Sequence, residues 1–219
     1  CSGRIRNRFP GDPSVLNEKA VYVGSDEMTS GAFQGEFLAK FFKDQGKTDI
    51  SYLMLNGILG QTSTTNRTAS VLKALEDNGI KATAAAAPLA ADYDRATAMD
   101  MISPLLKTTK YDCIISNNDA MALGAVEAMQ QQGLDPKSVP IVGIDATADG
   151  RQAIKDGTLA MTVFQNAEGQ GRASLQAAAN LIDGKPIAEG TGYEVDDENE
   201  FIIWVPFEPV TIDNVADYD

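Results

Sequence analysis

The feature that most constrains the fold of this chain is a regular alternation of short apolar runs with longer amphipathic segments. The apolar runs predict β-strands, at Val21–Val23, Tyr52–Leu55, Lys81–Ala87, Asp112–Ser116, Pro140–Ile144, Met161–Phe164, Tyr193–Val195 and Phe201–Phe207. The segments between them repeat apolar residues with helical periodicity and predict helices, at residues 29–45, 64–78, 95–107, 119–132, 148–155 and 167–182. Strands and helices that alternate in this way form βαβ units, so the sequence predicts an α/β fold with a doubly wound parallel sheet.

Composition excludes several classes of enzyme. None of the 219 residues is histidine, which excludes a Ser-His-Asp triad, an HExxH zinc site and imidazole acid–base chemistry. The two cysteines, Cys1 and Cys113, are too few for a cysteine-rich zinc site, and the sequence contains neither a GxGxxG nor a P-loop fingerprint. A formal net charge of -13 opposes binding to nucleic acid or to anionic membrane surfaces. We therefore predict a chain that is not an enzyme, needs no cofactor and binds no nucleic acid.

Polar side chains collect where the predicted strands end. In open parallel sheets, ligands bind beyond the carboxyl ends of the strands. In this chain those positions hold carboxylate, amide, hydroxyl and guanidinium groups, at Ser25, Asp26, Asn56, Gln61, Ser63, Arg67, Asn117, Asn118, Asp119, Asp145, Gln165 and Asn166. Asn, Asp and Ser are also preferred helix N-caps, so capping alone can account for any one of them. The set as a whole predicts a site that holds a neutral, polyhydroxylated ligand by hydrogen bonds without transforming it.

Two segments resemble a known family. The run Asn117–Ala128 (NNDAMALGAVEA) and the run Pro140–Ala146 (PIVGIDA) are similar to the periplasmic sugar-binding proteins of ABC transporters, in particular their galactose- and glucose-binding members. Ala20–Asp26 and Asn180–Lys185 fit the same template in order. The resemblance implies a type I periplasmic binding protein, with two α/β lobes that close on a sugar. It also implies a solute-binding protein that delivers a monosaccharide or related polyol to a membrane permease outside the cytoplasm.

The resemblance also implies a set of ligand-binding residues. Arg67, Asn118 and Asp145 match sugar-contacting positions with the same residue type, and Asn7 matches an asparagine of the first lobe. At four further positions the residue type differs from the sugar-binding relatives: Gln61 stands for histidine, Ser63 for aspartate, Gln165 for asparagine, and Tyr93 for the tryptophan that stacks on the sugar. The segment Lys43–Asp49 is too short for the calcium loop of the family, and the acidic turn at residues 196–200 lacks EF-hand spacing. We therefore predict no metal site.

The resemblance divides the chain into lobes. Residues 26–164 and 204–219 correspond to the complete second lobe, and residues 1–25 and 165–203 to a remnant of the first, as in an N-terminally truncated member. Such a member should bind its ligand weakly. It should also expose Leu175, Leu181 and Ile182 on the last helix, which favours self-association or partial disorder. Cys1-Ser2-Gly3 resembles the start of a processed bacterial lipoprotein, although an arbitrary chain boundary explains it equally well.

Two other functions remain open at this stage. The effector-binding core of a LacI-type transcription regulator shares the predicted fold, but it would require a helix-turn-helix segment, which the sequence does not show, and the net charge opposes it. An enzyme on a doubly wound fold rests only on the versatility of such folds.

Overall fold

The computed structural model describes residues 13–218. Its strands are β1 (Tyr22–Gly24), β2 (Asp49–Asn56), β3 (Lys81–Ala84), β4 (Leu89–Ala90), β5 (Cys113–Ser116), β6 (Ile141–Val142), β7 (Thr162–Gln165), β8 (Glu194–Val195), β9 (Ile202–Trp204) and β10 (Phe207–Val210). Its α-helices are α1 (Glu27–Lys43), α2 (Thr62–Asp77), α3 (Arg95–Ile102), α4 (Asp119–Gln131), α5 (Ala148–Lys155) and α6 (Ala167–Asp183). No helix in this part of the chain is long and apolar enough to cross a membrane.

The chain forms two compact units. Among the described residues, unit 1 contains those up to Asp26 together with Gln165–Phe207, and unit 2 contains Glu27–Phe164 together with those from Glu208 onward. The chain therefore passes from one unit to the other three times. Whether these units are the two lobes of the family stays a prediction.

The sheet of unit 2 is parallel. Its strands follow the order β3-β2-β5-β6, β4 pairs with the end of β2, and single bridges from Val142 to Met161 and from Asp145 to Phe164 continue it toward β7. The central strands β2 and β5 are continuous apolar runs because the sheet is covered on both faces. Helix α1 packs on α2, and α3 packs on α4. Because parallel crossovers are right-handed in nearly all proteins, the strand order implies that these two pairs cover opposite faces of the sheet, as in the predicted doubly wound α/β fold.

Two glycines bring α1 and α2 into close contact. A Cβ atom at Gly35 would lie 2.6 Å from the Cβ atom of Ala74, and one at Gly31 would lie 2.3 Å from the carbonyl oxygen of Arg67. Any larger residue at either position would push the helices apart. This close packing brings the first turn of α1 beside Arg67.

Unit 1 contains a small sheet with one helix on it. Strand β9 pairs in parallel with β1 and antiparallel with β8, and Ala177 of α6 packs with Ile187 and Ile203 in an apolar cluster. Leu175 is 76% exposed and Ile182 is 86% exposed, as expected from the sequence. The expectation for Leu181 was wrong, because its side chain packs against the apolar cluster.

Several element boundaries differ from the sequence prediction. Helix α3 ends at Ile102 rather than at residue 107, because Pro104 has no N–H group with which to continue the helical hydrogen bonds. The predicted strand Phe201–Phe207 is interrupted at Pro206, so its two ends belong to β9 and β10. Strand β4 was not predicted.

Candidate functional site

The carboxyl ends of β2, β5 and β6 lie at one edge of the unit 2 sheet because these strands are parallel. The loop after β2 leads into α2, which carries Arg67. The residue after β5 is Asn117, and Asn118 is the N-cap of α4. Asp145 follows β6 and is bridged to Phe164. The fold therefore gathers the end-of-strand residues of unit 2 at one edge of the sheet, as expected from the sequence.

Arg67 contacts three other residues at this edge of the sheet. Its side chain is 6% exposed, and its Nε and Nη2 atoms donate to Oε2 and Oε1 of Glu27 at 2.6 and 3.1 Å. Nη1 donates to the carbonyl oxygen of Asn117 at 2.8 Å and lies 3.7 Å from Oδ1 of Asp145. Burial acts to lower the pKa of Arg67, but the hydrogen bond and charge of Glu27, with the charge of Asp145, raise it above its usual value. Arg67 is therefore a permanent cation held in a fixed orientation.

Asp145 is the most accessible charge of this group. Its side chain is 29% exposed, and within residues 13–218 its carboxylate oxygens accept no hydrogen bond. Its backbone has a φ of 116°, in a region that residues other than glycine rarely adopt, and its N–H donates to the carbonyl oxygen of Val163 at 2.7 Å. Burial raises the pKa of Asp145 to about 6, with Arg67 opposing this shift and Glu27 adding to it. The loop therefore presents an under-compensated carboxylate at the edge of the sheet.

Asn118 uses only one end of its side-chain amide to cap helix α4. Its Oδ1 accepts from the N–H of Met121 at 3.0 Å, as expected of an N-cap, while its Nδ2 has no hydrogen-bond partner in the described part of the chain. The adjacent Asp119 differs, because it is fully buried and both of its carboxylate oxygens accept hydrogen bonds from threonine groups. One half of the Asn118 amide therefore remains available to a ligand, whereas Asp119 is structural.

Tyr93 is fixed by two hydroxyl groups and a glycine. Its phenolic oxygen lies 2.9 Å from Oγ of Ser63 and 2.8 Å from Oγ1 of Thr64. The ring lies against Gly57, where a Cβ atom would come within 2.0 Å of a ring carbon. Tyr93 and the preceding Asp92 both have positive φ, at 64° and 55°. The ring is thus held rigidly over the loop after β2, and the hydroxyl of Ser63 is bonded to it.

The other predicted ligand-binding residues are Gln61, Gln165 and Asn7. Gln61 is exposed at the N-cap position of α2, and its side chain makes no capping hydrogen bond. Gln165 is the last residue of β7, is half-buried and falls in unit 1. Asn7 lies outside the described residues. The structure therefore brings together Arg67 with Asp145 and Ser63 with Tyr93.

The contacts of Glu27 were not predicted from the sequence, and Asn117 has a larger role than was predicted. Glu27 occupies the first turn of α1, where an acidic residue is usually explained by the helix dipole. The side chain of Asn117 accepts from the N–H of Gly57 at 3.1 Å and so ties the loop after β2 to the loop after β5. The sequence signal for this role of Asn117 was its position directly after the buried strand β5. No group of three or more potential metal ligands occurs among residues 13–218.

Comparison with known proteins identifies the family. Residues 11–186 match the model of a periplasmic binding protein domain. The D-galactose/methyl-galactoside binding periplasmic protein of Haemophilus influenzae is 36% identical over 225 residues, which cover 97% of this chain and 65% of that protein. The ribose import binding protein of Salmonella typhimurium is 29% identical over 167 residues, which cover 76% of this chain and 53% of that protein.

A solved structure supports the same assignment. An ABC transporter solute binding protein from Bacillus halodurans, with bound myo-inositol, superimposes with a TM-score of 0.71 at 31% identity over 90% of this chain and 62% of that one. The chain thus spans less than two thirds of the length of each of these three proteins. The family model itself covers most of the chain, and the structural match agrees with the predicted fold type. The chain belongs to the periplasmic binding protein family.

Proposed function

We propose that this chain is a solute-binding protein that holds a monosaccharide or related polyol and delivers it to the membrane permease of an ABC transporter. The observation that carries the proposal is the edge of the unit 2 sheet, where Arg67, the free amide of Asn118 and the carboxylate of Asp145 offer donors and acceptors from fixed positions. Neighbouring hydroxyl groups of a sugar match such a set, because each hydroxyl both donates and accepts. The relatives described above are binding proteins of transport systems, which favours this function over a transcription regulator.

The proposed roles follow from the contacts. Arg67 donates to a ligand oxygen, Asn118 donates through Nδ2, and Asp145 accepts from hydroxyl groups. The rigid ring of Tyr93 is proposed to cover the apolar face of the ligand, as aromatic side chains do in ligand pockets. Gln61, Ser63, Gln165 and Asn7 stay predicted ligand-binding residues.

The proposal includes no catalytic step and no cofactor. A hydrolase would require a nucleophile with an adjacent base, and the hydroxyl of Ser63 is instead hydrogen-bonded to the phenol of Tyr93. The proposed location is outside the cytoplasm, as the family implies. Lipidation of Cys1 and self-association through the exposed Leu175 and Ile182 also stay predictions.

Titration calorimetry against a panel of monosaccharides and inositols tests the proposal. We expect one or more members of the panel to bind, and Asp145→Ala to weaken that binding by roughly tenfold or more, because a hydrogen bond to a charged group is lost. Asp100→Ala, which removes an exposed carboxylate from α3, is the matched control and should bind as the parent protein does. Failure of every panel member to bind, or tight binding that Asp145→Ala leaves unchanged, would refute the proposal.

A further inference from the structure

One face of helix α6 carries an exposed aliphatic stripe. Its members are Gly171, Leu175, Ala178 and Ile182, which follow at intervals of four, three and four residues and therefore lie on one side of the helix. Leu175 is 76% exposed and Ile182 is 86% exposed, and a Cβ atom at Gly171 would meet no atom of the described chain within 4 Å. Ala173, which α6 buries in unit 1, lies on the opposite side. Aliphatic side chains arranged in this way are typical of an interaction surface.

The stripe is complementary to itself in an antiparallel pair of helices. Gly171 and Ile182 are equidistant from a point immediately before Ala177, and Leu175 and Ala178 are equidistant from the same point. A two-fold axis through this point therefore places Ile182 of each chain opposite Gly171 of the other. The same axis places Leu175 opposite Ala178. Each large side chain thus meets a small residue, which allows the two helices to pack closely.

The charges beside the stripe fit the same arrangement. Glu168 forms an ion pair with Arg172 near the start of α6, and Lys185 forms one with Asp183 at its end. Glu168 and Lys185 are also equidistant from the point before Ala177, so the two-fold axis brings Glu168 of each chain beside Lys185 of the other. Arg172 then lies near Asp183 of the other chain. Parallel pairing in register would instead bring like charges together, so charge and size both favour the antiparallel pair.

We propose that this face of α6 binds a second copy of the chain, in a two-fold dimer formed by antiparallel α6 helices. The inference goes beyond the ligand-binding function proposed above and does not depend on it. A single pair of helices is a small interface compared with those of stable dimers. The dimer should therefore be weak, with a dissociation constant of roughly 10 μM to 1 mM.

Sedimentation equilibrium tests the proposal on the full chain. Physiological salt screens the repulsion between two chains of net charge -13. As the loading concentration rises from roughly 5 μM to 1 mM, the apparent mass should increase from that of a monomer toward that of a dimer. A chain that stays monomeric across this range would overturn the inference and leave the proposed function intact. Assembly beyond the dimer would also overturn it, because a two-fold contact closes on itself.

Three variants connect the dimer to this stripe. Leu175→Glu should weaken the association tenfold or more, because it places a charge against the partner's aliphatic surface. Ile212→Glu makes the same change in charge at a 61% exposed residue outside α6 and should have no effect. Gly171→Leu enlarges the aliphatic surface of the stripe, so it would strengthen an unspecific hydrophobic contact. In the proposed pair it removes the space opposite Ile182 and should weaken the dimer.

The substituted positions are all exposed, and circular dichroism checks that each variant is folded. The concentration series on the unmodified chain tests the dimer without any variant. Association that Leu175→Glu leaves unchanged, or that Gly171→Leu strengthens, would contradict the antiparallel pairing of α6.

Discussion

Replacing Asp119 with asparagine should remove a large part of the pH dependence of this protein's stability. Asp119 is fully buried at the start of α4, where its Oδ1 accepts from Oγ1 of Thr162 at 2.6 Å and its Oδ2 accepts from the N–H of Thr147 at 2.8 Å. Neither partner carries a charge. Burial raises the pKa of Asp119 from 3.8 to about 7, against the hydrogen bonds from Thr162 and Thr147, which oppose the shift.

The sign of the effect follows from the two pKa values. Between pH 3.8 and about 7 the folded protein keeps the Asp119 proton while the unfolded chain has lost it, so the free energy of unfolding falls as the pH rises. The full loss above the folded pKa is the difference of the two values multiplied by 1.36 kcal/mol, which is about 4 kcal/mol. Asp145 contributes a smaller loss of the same sign, between 3.8 and about 6.

Asparagine can preserve the local hydrogen bonds. Its Oδ1 can accept from the N–H of Thr147, and its Nδ2 can donate to Oγ1 of Thr162, which also accepts from the N–H of Ala146 at 3.2 Å. Urea unfolding of both proteins, from mildly acidic to mildly alkaline pH, measures the effect. The parent should lose stability steadily across the window, and Asp119→Asn should keep only the part due to other groups such as Asp145. If the two proteins lost stability in parallel, the buried-proton reasoning would be refuted.

Three further predictions concern stability and accessibility. Arg67→Met should lower the free energy of unfolding by up to about 3–5 kcal/mol, because it leaves the carboxylate of Glu27, which is 17% exposed, without a cation, and adding Glu27→Gln should recover part of the loss in urea unfolding. Gly35→Ala should cost about 1–3 kcal/mol in the same assay by forcing α1 from α2, whereas Gly171→Ala, with open space around it on α6, should be neutral or stabilising by up to about 1 kcal/mol. Cys113 is fully buried and burial raises the pKa of its thiol, so peptide mapping should find it alkylated by iodoacetamide only after denaturation.

The regular elements were predictable because their signals are local. The periodicity that predicted α4 and α5 reflects which face of each helix is buried, and those helices occur within one residue of the predicted bounds. Helix α5 is also capped by Thr147, whose Oγ1 accepts from the N–H of Gly150 at 3.0 Å. Strand β4 has no such signal, because its two residues form a strand only by pairing with the end of β2.

The contacts within the site were less predictable, because they depend on backbone φ angles that the residue types at those positions do not indicate. Tyr93 and Asp145 both have positive φ without being glycine, so no residue preference marked these loops. The chain adopts these conformations where tertiary contacts stabilise them: the Tyr93 hydroxyl is held by Ser63 and Thr64, and the Asp145 backbone is bonded to β7. Residue types could indicate a polar edge, but they could not show that the Ser63 hydroxyl bonds to Tyr93.

The sequence did contain a signal for the contact between Glu27 and Arg67. Glu27, Gly31 and Gly35 recur every four residues, so they share one face of α1, and the two glycines allow that face to meet another helix closely. On α2, Arg67 and Ala74 lie on a common face, seven residues apart, with Ala74 against Gly35 and the Arg67 backbone against Gly31. One helical turn further along this contact, Glu27 of α1 lies opposite Arg67 of α2. The pairing of Glu27 with Arg67 therefore follows from the spacing of two glycines, and it leaves Asp145 in the longer ion pair with Arg67, at 3.7 Å.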